Sequence, residues 1–173
     1  MVRTYLRIAA LDAVRPGRPT PARAHLEPLP PGDLATWRAL YARIGGPWHW
    51  HDRDAWDDAR LATYLSDPAV RTWCVEVPDD GQGQAHHDAG LLELCQHPDG
   101  SVEIVYLGLH ESVSGRGLGA WLVCEAIARG FALGASSVWL HTCTLDGPAA
   151  LPNYLARGFV IERTETYEAT LPG

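Results

Sequence analysis

A glycine-rich loop between an apolar strand and a long apolar helix constrains this chain more than any other feature. The strand is Val102–Leu109, the loop runs Val113-Ser114-Gly115-Arg116-Gly117-Leu118-Gly119, and the helix is expected from about Arg116 to Leu133, with Gly134 as its stop. Glycines let the backbone turn tightly and approach a ligand closely. The loop opens a helix, so successive N–H groups and the positive helix end converge on one point, which suits a pyrophosphate. A dinucleotide fold fits poorly, because no acidic residue ends a following strand as a ribose partner. A P-loop is absent, since no Gly-Lys-Ser/Thr follows.

The elements around the loop give the fold class. A strand is expected at Thr4–Leu11, then a Pro- and Arg-rich loop from Arg15 to Pro31. A helix starts near Asp33 as N-cap and runs to Arg43, where Gly45-Gly46-Pro47 stops it; a second runs from about Asp54 to Leu65. Strands follow at Val70–Val77 and Ala89–Gln96, separated by a polar hairpin loop at Asp79–His87, with Pro98-Asp99-Gly100 as the next turn. After the long helix come a strand at Ser137–Cys143, a short helix at Gly147–Arg157 and a last strand at Phe159–Ala169. The order β-α-α-β-β-β-α-β-α-β predicts an α/β fold, a mixed sheet of about six to seven strands with helices on both faces.

At 173 residues and 46% hydrophobic content, with seven tryptophans, residues 1–173 read as a single domain with its own core. The net charge of −7 argues against a nucleic-acid partner, which needs a basic footprint, and suits a cationic one. Cys74, Cys95, Cys124 and Cys143 form no C-x-x-C pair, so they read as buried free thiols in a reducing cytoplasm and not as a metal site. No run is long enough to span a membrane, and none resembles a signal peptide.

The loop resembles the acetyl-CoA loop of the GNAT superfamily of N-acetyltransferases, Gln/Arg-x-x-Gly-x-Gly/Ala: Gly117 and Gly119 match, and Ser114 stands where that family has Gln or Arg. Downstream, Tyr154-Leu155-Ala156-Arg157-Gly158-Phe159 resembles its Tyr-x-x-x-Gly-Phe, and Ala150 its preceding alanine; Gly147 stands near its usual asparagine. The motifs cover about residues 70–168, and Trp139–Asp146 is similar to a bacterial subgroup of the superfamily.

The resemblance implies acetyl transfer from acetyl-CoA, without metal, to a small-molecule or peptide amine; a homodimer is compatible with it. It assigns CoA contacts to Ser114, Gly115, Arg116, Gly117, Leu118 and Gly119, and acyl-carbonyl contacts to backbone N–H groups of Leu107, Gly108 and Leu109. An alkylamine with a pKa near ~10 must lose a proton before attack. Glu103 resembles the superfamily's glutamate base, with Glu93 and His141 in reserve. Tyr154 takes the place of the tyrosine that protonates the leaving thiolate. The cluster Trp48-His49-Trp50 is expected to line the acceptor side, where aromatic faces can hold a cation, with His141 nearby. Two alternatives stay open: a catalytically silent CoA-binding domain, and a nucleotide-binding α/β protein of another family.

Overall fold

The computed structural model describes residues 1–18, 23–78 and 86–168. Seven strands form one mixed sheet: β1 (Val2–Ile8), β2 (His25–Pro28), β3 (Val70–Val77), β4 (His86–Gln96), β5 (Ser101–Leu109), β6 (Ser137–Cys143) and β7 (Val160–Thr166). Their spatial order is β2-β3-β4-β5-β6-β1-β7. The helices are α1 (Leu34–Leu40), α2 (Asp58–Leu65), α3 (Leu118–Ala132) and α4 (Ala150–Ala156). This is the mixed α/β architecture expected from the sequence.

Strands β2 to β5 form an antiparallel meander, and only β5 and β6 pair in parallel, joined by α3 as the crossover. Strand β1 lies between β6 and β7, antiparallel to both. The first strand of the chain therefore occupies the gap that the β6-α4-β7 crossover leaves open.

Each face of the sheet carries its own core. On one side α3 turns Leu118, Leu122, Val123, Ala126 and Ile127 toward the sheet, at the spacing of one helical face. Leu122 is fully buried, so Leu122→Ala would cost about 2–5 kcal/mol. On the other side Trp37, Leu40 and Ile44 from the α1 region meet Leu61 and Leu65 of α2 over Leu91 and Tyr106.

The boundaries differ from the sequence reading in physically explicable ways. β1 begins and ends earlier than Thr4–Leu11, and Leu11 enters a short 3-10 turn. The stretch Arg15–Pro31 is not all loop: His25–Pro28 pairs with β3. Its three polar or proline residues are exposed and only Leu26 is buried, so no alternation marks it as a strand. α1 ends at Leu40 and widens into a π turn at Tyr41–Gly45 and a 3-10 turn at Gly46–Trp48. Its N-cap is Asp33, whose side chain accepts from the Thr36 N–H at 3.1 Å. α2 starts at Asp58 and not Asp54, because Asp57 is the residue whose carboxylate caps it, 2.8 Å from the Arg60 N–H. The hairpin loop ends before His86, where β4 begins; residues 79–85 lie outside the described residues. α4 spans Ala150–Ala156, inside the expected Gly147–Arg157. β7 spans Val160–Thr166, and Ala169 lies outside the described residues. All four cysteines are free, and only Cys74 is buried.

Candidate active site

The cleft begins where β5 and β6 part. They pair only at Ser101↔Ser137, Val102↔Val138 and Glu103↔Trp139, and no pairing continues beyond that point. On its other edge β5 stays bonded to β4, through Leu107↔Leu92, Gly108↔Leu91 and Leu109↔Gly90. The His110 N–H donates to the Ala89 carbonyl at 2.8 Å, so backbone groups of even-numbered residues here point at β4. By the alternation of an antiparallel ladder, the N–H groups of Leu107 and Leu109 face the gap and that of Gly108 does not. The expected trio of donors narrows to two.

The register of β5 shifts between Tyr106 and Ile104, a bulge that leaves Val105 opposite no partner. The bulge changes which face each side chain takes: Ile104 packs into the α3 core and Tyr106 into the α1–α2 core. Gly108 itself keeps regular register, opposite Leu91. A Cβ there would meet Ile44 Cγ2 at 2.5 Å and Trp50 Cη2 at 3.2 Å, so the glycine makes room for these two side chains.

The glycine loop leads from β5 into α3; of its residues Gly119 lines the cleft, and Ser114, Gly115, Arg116, Gly117 and Leu118 do not. Gly115 and Gly117 have φ of +76° and +77°, the left-handed region that glycine enters without strain. Gly117 is the N-cap of α3, so the helix starts at Leu118 and not Arg116. The first-turn N–H groups of a helix have no intrahelical carbonyl partner. Residues Ser114–Gly117 are exposed, which leaves the loop open to an anion. At Gly119 the carbonyl accepts from Asn153 Nδ2 at 3.0 Å, which ties the start of α3 to α4.

α4 brings Tyr154 to the same cleft. Its ring packs edge-on against Phe159, with centroids 6.1 Å apart. Burial, helped by the charge of Asp146, raises the Tyr154 phenol above its ordinary value, so it keeps its proton and can act as an acid. Asp146 is held by the Thr142 hydroxyl at 2.5 Å and the Cys143 N–H at 3.0 Å. Where the resemblance led one to expect an asparagine, Gly147 has the Trp48 ring over it: a Cβ would lie 3.2 Å from Trp48 Cη2. The indole fills the space that a side chain at 147 would use.

The cleft, about 620 Å³, takes in Glu103, Leu107, Gly108, Leu109, Gly119, Tyr154, Trp48, His49, Trp50 and His141. These residues come from five separate stretches of the sequence. Glu103 sits at the closed end of the splay, its side chain 18% exposed, with Oε2 3.0 Å from His97 Nε2. His141 is exposed on β6, edge-on to Tyr5 at 5.7 Å.

Glu93 does not reach the cleft, which removes it as a reserve base. Its side chain is 0% exposed and paired with Arg53 Nη1 at 2.9 Å. Trp37 Nε1 donates to it at 3.1 Å and the Tyr64 hydroxyl at 2.9 Å. Burial pushes the Glu93 carboxyl up, and Arg53 with the two hydrogen bonds opposes that. Burial alone would lower Arg53, but Glu93, Tyr106 and Tyr64 together outweigh it and the guanidinium is raised. Arg53 and the Trp37 indole can only donate, so the carboxyl is there as the anion. The guanidinium also lies 4.0 Å from the Tyr64 ring centroid and 4.7 Å from that of Tyr106.

Sequence reasoning missed Asp52. It lines the cleft, exposed, with Oδ1 accepting from the Tyr41 hydroxyl at 2.9 Å and Oδ2 from the Tyr106 hydroxyl at 2.5 Å. Burial raises both phenols, so both remain donors. The only signal in the sequence was its place beside Trp48-His49-Trp50. Its phenol partners lie 11 and 54 residues away. Asn153 and His97 were likewise missed.

A splayed parallel strand pair, a glycine loop that starts a crossover helix and a tyrosine on the next helix are the features of an acetyltransferase fold. The family model described as Acetyltransferase (GNAT) family matches residues 34–159, and the chain belongs to that family. Among solved structures, one from the GNAT family of Novosphingobium aromaticivorans DSM 12444 is 22% identical with a TM-score of 0.60, covering 95% of this chain and 62% of that one. A GCN5-related N-acetyltransferase from Kribbella flavida is 18% identical with a TM-score of 0.61, covering 95% and 56%. An aminoglycoside acetyltransferase from an uncultured soil metagenomic sample, in complex with trehalose, is 14% identical with a TM-score of 0.63, covering 86% and 97%. At these identities the likeness concerns the fold. The chain spans 62%, 58% and 49% of the first three structures it matches. No curated protein matches. Among the described residues no group of three or more His, Cys, Asp and Glu could hold a metal, and no helix is long and apolar enough to cross a membrane.

Proposed function

We propose that residues 1–173 act as one acyltransferase domain that moves an acetyl group from acetyl-CoA to a primary amine by direct attack. The observation that carries this reading is the gap between β5 and β6, with Gly119 of the glycine loop and the buried Tyr154 both lining the cleft. The loop fits a pyrophosphate: two glycines at positive φ and the free first turn of α3 supply N–H donors to an anion. Leu107 and Leu109 supply N–H groups where negative charge develops on the acyl oxygen.

The amine enters on the side of Trp48 and Trp50. Glu103 takes its proton, directly or through a water, and His97, 34% exposed, passes it to solvent. The amine nitrogen forms the new bond to the acyl carbon as the carbon–sulfur bond breaks, and Tyr154 protonates the departing thiolate.

The test is release of free thiol from acetyl-CoA with a panel of primary amines. Release that needs both protein and amine is expected. If acetyl-CoA binds and no amine in the panel elicits thiol, the chain is a silent CoA-binding domain. If acetyl-CoA does not bind, the loop assignment fails as well.

A further inference from the structure

The cleft contains three carboxylates, and two of them are only partly exposed. Glu103 is paired with His97, and Asp146 is occupied by a hydroxyl and a backbone N–H. Asp52 differs. Its hydrogen bonds come from two neutral phenols, and it stays exposed to the cleft. Each oxygen keeps a lone pair for a further donor.

The carboxylate is also held in place. The Arg53 N–H donates to the Tyr41 hydroxyl at 3.1 Å, and that hydroxyl donates to Asp52. The Arg53 side chain turns the other way, into the core, where Glu93 and four aromatic rings fix it. One buried ion pair thus pins the backbone that aims Asp52 outward. Two phenols set its rotamer, and rigid donors of this kind leave little entropy to lose on binding.

The position of Asp52 relative to the acyl gap limits what it can bind. Tyr106 precedes Leu107, whose N–H faces the gap, and Asp52 meets the far end of the Tyr106 side chain. The carboxylate therefore stands a full tyrosine side chain away from the β5 backbone. The Trp50 ring lies between, its centroid 4.8 Å from that of Tyr106 and its edge over Gly108. A nitrogen held at Asp52 is not the nitrogen that attacks beside Leu107.

We infer that Asp52, fixed by Tyr41 and Tyr106, binds a second, protonated amino group of the acceptor, so that the preferred substrates are aliphatic diamines. The inference rests on the amine-acetylation reading. The aliphatic spacer would run along the Trp50 indole. A charge-assisted hydrogen bond and the adjacent aromatic faces favour a cation at this point over a neutral group.

Two measurements test this. In the first, 1,4-diaminobutane and butylamine are titrated calorimetrically into the protein in the presence of CoA, for the natural chain and for Asp52→Asn. Asparagine removes the charge and keeps one acceptor oxygen, while its Nδ2 donates to the other phenol oxygen; a thermal melt checks the fold. The diamine should bind the natural chain at least about tenfold tighter than the monoamine, and Asp52→Asn should abolish that difference. In the second, the ratio of kcat/KM for the two amines is compared, with the loss in Asp52→Asn expected in KM for the diamine. Equal binding of both amines by the natural chain, or a preference that survives in Asp52→Asn, overturns the inference. Binding that behaves as expected with no acetyl transfer would sink the acetylation reading and leave the diamine site standing.

Discussion

Replacing Glu93 with glutamine removes one charge from a pair that has no access to water. The side chains of Arg53 and Glu93 are 6% and 0% exposed. In Glu93→Gln the amide oxygen still accepts from Trp37 or Tyr64, but the guanidinium is left buried beside an amide. Breaking a buried pair from one side costs about 3–5 kcal/mol, because the remaining charge is uncompensated. For a domain of this size each kcal/mol lowers Tm by about 2–4 °C, so a drop of roughly 6–20 °C is expected. The double variant Arg53→Met/Glu93→Gln removes the stranded charge and keeps an acceptor for Trp37 or Tyr64. It should recover at least about 2 kcal/mol relative to the single variant. Urea melts of the three proteins measure both differences. A loss below about 1 kcal/mol in Glu93→Gln, or a double variant no better than the single, would refute the claim that this pair pins the backbone at Asp52 and Arg53. Turnover gives a second reading: normal stability with abolished turnover would restore Glu93 as the base.

Three further outcomes follow from the site. Gly117→Asp puts a Cβ and a carboxylate at a φ of +77° where an anion is to bind, so CoA affinity should fall at least about tenfold in calorimetry with the fold intact. Glu103→Gln should lower the acetylation rate by about 10²–10⁴ while CoA affinity holds; retention of most of the rate would leave Glu103 a structural partner of His97. Gly147→Asn forces the Trp48 ring aside, since a Cβ there already lies 3.2 Å from it, so KM for the amine should rise while CoA affinity is unchanged. A fall in CoA affinity instead would place Trp48 on the CoA side.

The motif-bearing half of the chain was legible because its signals are local. Gly117 and Gly119 lie on the turn itself, Tyr154 and Phe159 are five residues apart, and the β5–α3–β6 crossover follows from element order. Strand Ser137–Cys143 and strand Val70–Val77 match residue for residue, because each is a bounded apolar run. What escaped depends on contacts between distant segments. β2 is a strand because β3 offers an edge, not because its four residues alternate. The place of β1 between β6 and β7 leaves no trace in the order of elements. Glu93 and Glu103 both sit in apolar strands and look alike in sequence. The bulge at Val105 and the arrival of Arg53 from the α1–α2 connection decide which is buried and which lines the cleft. Asp52 escaped for the same reason, since its phenols come from other elements.

A crystal structure of the chain with CoA tests the central claim most directly. The account predicts the pyrophosphate on the N–H groups of Gly115–Gly119, the pantetheine arm along the open edge of β5 past Leu109 and Leu107, and the sulfur within hydrogen-bond reach of the Tyr154 hydroxyl. CoA bound away from the β5–β6 gap, or seated there with its sulfur remote from Tyr154, would contradict it.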